Sequence, residues 1–204
     1  MTREIFLAIV EWASVFVYAL SGIVEARKRN LDLFGALVIG FVTAFGGGTL
    51  RDVLLGRHPL YWTQHPIYIA TVVITAILAL FFPFQADKRT RRLIIVLDAL
   101  GLGLFSYLGT YHAITYSTHM LVAPIMGMIT ATFGGVIRDV FFSEIPQIFL
   151  LRTQLYAVCA LLGAFVYVLL RMLETDNSIA MLMCVTSTFL MRMLAIKHNL
   201  RLPL

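Results

Sequence analysis

The sequence predicts an all-α integral membrane protein of seven transmembrane helices, arranged as two inverted three-helix repeats followed by a seventh helix. Three observations predict it. The 204-residue chain is 60% hydrophobic and 13% charged, with mean hydropathy +0.88, too apolar to give a soluble domain its polar surface. Its polar residues gather in short connections between apolar runs of about 20 residues, the length that crosses a hydrocarbon core. A stretch of the first half also recurs in the second at a constant offset of 87 residues. The net charge of +5 and pI near 9.5 do not point to nucleic acid, because the basic residues cluster between apolar runs, as membrane topology requires. We expect one membrane domain over 1–204, without a cleavable signal. Cys159 and Cys184 fall inside apolar runs, and we expect neither a disulfide nor a metal there.

The first span, Ile5–Ala26, ends at Arg27-Lys28-Arg29-Asn30, and the second is Leu33–Leu55. The third, Ile67–Phe84, closes on the run Phe81-Phe82-Pro83-Phe84 and gives way to Asp87-Lys88-Arg89-Thr90-Arg91-Arg92. Spans four to six are Leu93–Tyr111, Met120–Phe142 and Gln154–Leu173; after the polar Glu174-Thr175-Asp176-Asn177 comes the seventh, Ile179–Ile196. The repeats are thus 5–84 and 93–173, with 179–196 outside them. On alternating sides, one face collects Arg27, Lys28, Arg29, Lys88, Arg89, Arg91, Arg92, Arg152, Arg192, Lys197 and Arg201, the other only Arg3, Arg57 and Arg171. Basic connections stay cytoplasmic, so the expected protein sits in the cell (inner) membrane with its N-terminus outside and its C-terminus inside. Trp12, Trp62, Tyr61 and Tyr68 read as interface anchors, and Tyr18 with its repeat mate Phe105 as packing residues. His58, His65, His112, His119 and His198 fall at or near span ends and read as interfacial or loop histidines.

The repeat carries the functional signal. Phe45-Gly-Gly-Gly-Thr-Leu-Arg-Asp-Val53 returns as Thr132-Phe-Gly-Gly-Val-Ile-Arg-Asp-Val140, and from Glu11 to Trp62 the ungapped offset gives 12 identities in 52 positions. A period of three spans reverses the second copy in the membrane, which is the pattern of transport proteins with a pathway at the repeat interface. Gly46, Gly47, Gly48, Gly134 and Gly135 interrupt spans two and five. We expect them to bend these helices and free carbonyls toward a pathway, with hydroxyls of Thr43, Thr49 and Thr130 assisting, ahead of serving close packing alone. Arg51, Asp52, Arg138 and Asp139 follow the breaks, deep enough to face the bundle interior. Adjacent residues point about 100° apart on a helix, which disfavours Arg51 with Asp52. Equal depth instead suggests that Glu11 pairs with Arg51, and Asp98 with Arg138, one pair near each mouth, as gates or as struts.

Seven spans, the 3+3+1 inverted repeat and the doubled Gly-Gly-x-x-Arg-Asp motif resemble the prokaryotic branch of the trimeric intracellular cation (TRIC) channels, over nearly the whole chain. The resemblance implies a homotrimer in membrane lipid, with a pore inside each protomer for monovalent cations, potassium or sodium, and no cofactor. It implies that kinked helices two and five line that pore through the five glycines, with Arg138 and Asp139 at the pore-side charged position. Phe133 replaces the glycine equivalent to Gly46 and is a candidate steric plug. The same bacterial sequences are also grouped as small-amino-acid (glycine) transporters, which keeps a secondary carrier as the alternative. No Gly-x-Ser-x-Gly or His-Glu-x-x-His is present, so no enzyme is expected.

Overall fold

The structure, a computed structural model, describes residues 2–81, 88–150 and 155–201, with side chains from residue 5 onward. The expected end of the third span at Phe82-Pro83-Phe84, Asp87, Arg152, the start of the sixth span at Gln154, and the side chain of Arg3 lie outside the described residues.

The described residues form seven α-helices: α1 Thr2–Lys28, α2 Leu33–Leu54, α3 Pro66–Ala79, α4 Lys88–Thr115, α5 Ala123–Phe141, α6 Ala157–Met172 and α7 Asn177–Lys197, with a 3-10 turn at Gln147–Phe149. Local chemistry sets their starts. The side chain of Asp32 accepts a 2.7 Å bond from Gly35 N to open α2, and Asp176 does the same for Ser178 N at α7. Proline in the first helical positions begins α3 at Pro66, and α5 later than expected, at Ala123-Pro124 rather than Met120. α4 starts earlier than expected, because the basic stretch Lys88-Arg89-Thr90-Arg91-Arg92 continues the helix beyond its apolar run. Six helices stop in one way: Asn30, Gly56, Ser117, Ser143, Glu174 and Asn199 adopt φ between 53° and 64°. The next amide then bonds back five residues, as Arg57 N does to Asp52 O and Glu144 N to Asp139 O.

Among the described residues four helices, α1, α2, α4 and α7, are long and apolar enough to cross a membrane by length and composition. α3 and α6 are apolar but have 14 and 16 residues, and α5 spends part of its 19 on Arg138 and Asp139. α1, α2, α4 and α5 pack around the centre; α3 flanks the first pair, α6 the second, and α7 lies on α4 and α6. Hydrogen bonds join like ends of this alternating arrangement. The start of α1 meets the start of α3 and the end of α4, through Glu11, Tyr68 and His112.

The glycines show how the repeats meet. α2 and α5 remain helical straight through Gly46–Gly48 and Gly134–Gly135, without half-helix ends. A Cβ added to Gly47 would lie 2.0 Å from the Thr130 carbonyl oxygen, and one on Gly134 would lie 2.2 Å from that of Thr43. Gly47 and Gly134 are repeat mates, as are Thr43 and Thr130, so each contact is the other's two-fold image. On the symmetry line between α1 and α4, Tyr18 and Phe105 pack with ring centroids 4.8 Å apart, both buried.

Candidate functional site

Where α2 and α5 end, each holds a buried arginine against the aspartate that follows it. Arg51 Nε donates to Asp52 Oδ1 at 2.9 Å, with Nη2 2.7 Å from the same oxygen but out of hydrogen-bond alignment. Arg138 donates to Asp139 Oδ1 through Nε at 3.0 Å and Nη2 at 2.8 Å. The second carboxylate oxygen of each aspartate turns to the following loop. Asp52 Oδ2 accepts from Tyr61 N at 3.0 Å, and Asp139 Oδ2 from Gln147 N at 3.1 Å. Arg51 and Asp52 are 1% and 0% exposed, Arg138 and Asp139 6% and 4%.

This corrects the expected pairing of Glu11 with Arg51 and Asp98 with Arg138. The 100° between neighbouring Cα–Cβ bonds constrains where a side chain starts, and an arginine long enough to fold back reaches the next carboxylate regardless. The left-handed residues Gly56 and Ser143 then turn the chain so that a loop amide meets each aspartate's free oxygen. Glu11 and Asp98 take tyrosine partners instead: Tyr68 Oη donates to Glu11 Oε2 at 2.8 Å, and Tyr156 Oη to Asp98 Oδ1 at 3.0 Å.

Several residues lie elsewhere than the sequence suggested. Tyr61 and Tyr68, expected at the interface, are buried, and Tyr61 carries the Arg51 guanidinium 5.1 Å over its ring. His112, expected as an interfacial histidine, is 7% exposed, with Nε2 3.0 Å from Glu11 Oε1 and both ring nitrogens 3.4 Å from Arg57 Nη1. Arg192, counted only for topology, is buried with its guanidinium 4.7 Å over the Tyr156 ring. Thr43 and Thr130 donate to the carbonyls of Ile39 and Met126 four residues back, and Thr49 accepts from Trp62 Nε1 at 3.0 Å. Phe133 is half-buried, while a Cβ on its repeat mate Gly46 would meet Ile137 Cδ1 at 2.9 Å. Tyrosine hydroxyls also reach the carbonyls of repeat mates Ala44 and Ala131: Tyr61 Oη at 3.4 Å and Tyr18 Oη at 2.7 Å. Counting back four residues along each helix, these carbonyls are the helical partners of the Gly48 and Gly135 amides.

The Glu11 end opens into a cavity of about 680 Å³ lined by Glu11, Trp12, Arg57, His65, Tyr68 and His112 among apolar neighbours. At the opposite end the connections are clamped. Arg29 Nη2 is 2.9 Å from Glu25 Oε1 and 3.0 Å from Glu144 Oε2, with its guanidinium 4.1 Å over the Phe142 ring. The bond from Arg29 holds the Glu144 carboxyl below its ordinary value. A depressed carboxylate stabilises the fold fully above the unfolded value, about 4.3, and loses this as pH falls through the folded value. Glu144 is half exposed, so Glu144→Gln should cost only about 0.5–1 kcal/mol at neutral pH. That difference should begin to shrink as pH falls below the unfolded value of about 4.3, and be gone only once pH is below the folded value, when both forms are melted across a pH series. Among the described residues no three His, Cys, Asp or Glu gather as a metal would need.

The family profile described as "Glycine transporter" matches residues 8–83 and again 95–172, once per repeat. The UPF0126 inner membrane protein YadS of Escherichia coli is 37% identical over 203 residues, covering 96% of this chain and 95% of that protein. Among solved structures, the TRIC trimeric intracellular cation channel orthologue from Rhodobacter sphaeroides superposes with a TM-score of 0.87 at 32% identity, covering 95% of this chain and 98% of that one. A prokaryotic TRIC channel solved in 0.5 M KCl gives a TM-score of 0.88 at 28% identity, covering 98% and 100%. These are membrane proteins and channels, not enzymes. Matched by that profile in both repeats and by such a relative along its length, the chain belongs to the family of that profile and of the UPF0126 membrane proteins, and has the fold of the prokaryotic TRIC channels.

Proposed function

We propose that the protein is a monovalent-cation channel, with potassium as the main permeant ion and one pathway inside each protomer of a homotrimer. The observation that carries this reading is the full-length likeness to the Rhodobacter channel at a TM-score of 0.87 and 32% identity. The pathway would run along α2 and α5, where the glycines and the buried Arg-Asp pairs coincide. A bare arginine there would repel cations; Asp52 and Asp139 neutralise Arg51 and Arg138 and remove that barrier. With α2 and α5 in backbone contact at Gly47 and Gly134, opening needs the helices to part or bend. The bend would fall at Gly48 and Gly135, whose helical acceptors Ala44 and Ala131 already share their oxygens with tyrosines. The basic connections after α1 and before α4 would face the cytoplasm of the inner membrane.

A carrier for glycine or another small amino acid is the second reading, favoured by the family description itself. Purified protein in planar bilayers under a potassium gradient separates the two. We expect discrete openings that reverse near the potassium equilibrium potential. Absence of unitary current, with saturable and competable uptake of labelled glycine into liposomes, would replace the channel with the carrier.

A further inference from the structure

Each end of the bundle has a corner where the last turn of one repeat's first helix meets the loop after the other repeat's second helix. At one corner these are Glu25 of α1 and Glu144 after α5, with Arg29 held between the two carboxylates. The 87-residue offset maps Glu25 onto His112 and Glu144 onto Arg57. The equivalent corner is therefore His112 of α4 against Arg57 after α2, with Arg57 Nη1 3.4 Å from both ring nitrogens. One corner is locked by an ion clamp of fixed sign. The other is closed by a guanidinium against an imidazole, a contact that holds only while the imidazole is neutral.

Every element around His112 contributes to what its charge would do. From α1, Glu11 Oε1 lies 3.0 Å from Nε2 and takes a bond from Tyr68 of α3 on its other oxygen. From the end of α2, Arg57 faces the ring while Nη1 lies 3.6 Å from Asp52 Oδ1, and Arg51 acts through space. His65 lines the same cavity, and Tyr111 packs beside the ring on α4. With neutral His112 the formal charges of Glu11, Asp52, Arg51 and Arg57 sum to zero; an imidazolium leaves one positive charge in excess. Glu11 is placed to take the imidazolium, and Arg57 is left against a like charge.

We propose that His112 is a proton-operated latch at the Arg57 end of the bundle. Protonation strengthens the bond that the ring already makes to Glu11 and expels Arg57, which frees the end of α2 to move. Histidine is the side chain whose ordinary titration falls between about pH 5 and 8, the range over which such a latch is to be tested. This rests on the channel reading for its consequence, namely that acid on that face alone favours opening.

The test records single channels while pH is stepped on each face separately. Wild-type open probability should rise about tenfold between about pH 8 and about pH 5.5 on one face, the change that one pKa unit between closed and open states supports. His112→Gln should stay at the low level at both pH values, and Arg57→Gln at the high level at both. A flat wild-type response, or an unchanged response in His112→Gln, overturns the proposal. Hydrogen exchange over residues 53–63 at the same two pH values, corrected for intrinsic rates, reads the latch without current. Acid-enhanced exchange in wild type but not in His112→Gln supports it, and equal behaviour of the two sinks it. That enhancement in a protein that passes no current would sink the channel reading and leave the latch standing.

Discussion

Gly47→Ala and Gly134→Ala should each destabilise the protein by about 3 kcal/mol or more, at the upper end of overpacking costs. The added methyl carbon would sit 2.0 Å from the Thr130 carbonyl oxygen in the first variant and 2.2 Å from that of Thr43 in the second. Both obstacles are backbone atoms inside a helix, which no rotamer change can clear, so α2 and α5 would have to separate. Helix association in lipid depends on packing and close polar contact rather than on burial from water. Separating the helices therefore forfeits the main source of attraction between the repeats. Gly135→Ala is the internal control: its methyl would meet Arg138 Nη2 at 3.7 Å and Tyr156 Oη at 3.8 Å, ordinary contact distances. It should be neutral or slightly stabilising, since alanine gains up to about 1 kcal/mol of helix propensity over glycine. Unfolding of the three variants in one detergent reads the difference. A tolerated Gly47→Ala would mean that the crossing is not closed as the backbone positions indicate. A stable Gly135→Ala that has lost transport would place that glycine's purpose in bending.

The fold was legible because a membrane makes hydropathy nearly sufficient. Seven apolar runs with polar connections fix seven helices, and an odd-numbered repeat fixes the inversion. What was not legible lies at helix ends, where single residues decide. Pro124 delayed α5, the basic stretch 88–92 extended α4, and Asn30, Ser117, Ser143, Glu174 and Asn199 closed helices in the left-handed conformation without being glycine. The glycines were found, but whether a glycine bends its own helix or admits another depends on where the second helix crosses. That is a long-range fact no local propensity contains.

The site was legible in its members and less so in its pairings. Arg51, Asp52, Arg138, Asp139, Glu11 and Asp98 stood out as costly charges at matched depths. Their partners were missed because helix faces alone leave out the loops, whose Tyr61 and Gln147 amides hold the aspartates. Tyr68 and Tyr156 were missed because the repeat slips by one residue beyond the proline pair Pro59 and Pro146, so an ungapped comparison never aligns them. One gap at that point would have aligned the two tyrosines with each other, as Glu11 and Asp98 already align. His112 was hidden by its own symmetry, because its mate is Glu25 and the histidine signals nothing as a repeat.

The buried pairs give the second large effect. Asp52→Asn should cost about 3–5 kcal/mol, because it leaves the Arg51 guanidinium charged, enclosed and without its counter-ion. Asp139→Asn should cost somewhat less, since Arg138 is less completely enclosed. The double variant Arg51→Met/Asp52→Asn separates two purposes that the single variants confuse. Replacing a buried ion pair by uncharged groups of similar volume is often neutral or stabilising, whereas removing one partner is not. A double-mutant cycle of unfolding should therefore show most of the single-variant cost recovered, with coupling at or above the roughly 3 kcal/mol limit for touching residues. Recovery of stability with loss of cation current would mean that the pair is kept for transport, as a neutralised cation in the pathway. A double variant as unstable as Asp52→Asn would mean instead that the carboxylate matters chiefly for holding the Tyr61 loop, and would make the pair a strut. The asparagine introduced by Asp52→Asn can still accept from the Tyr61 amide through its side-chain oxygen, so recovered stability is the outcome expected.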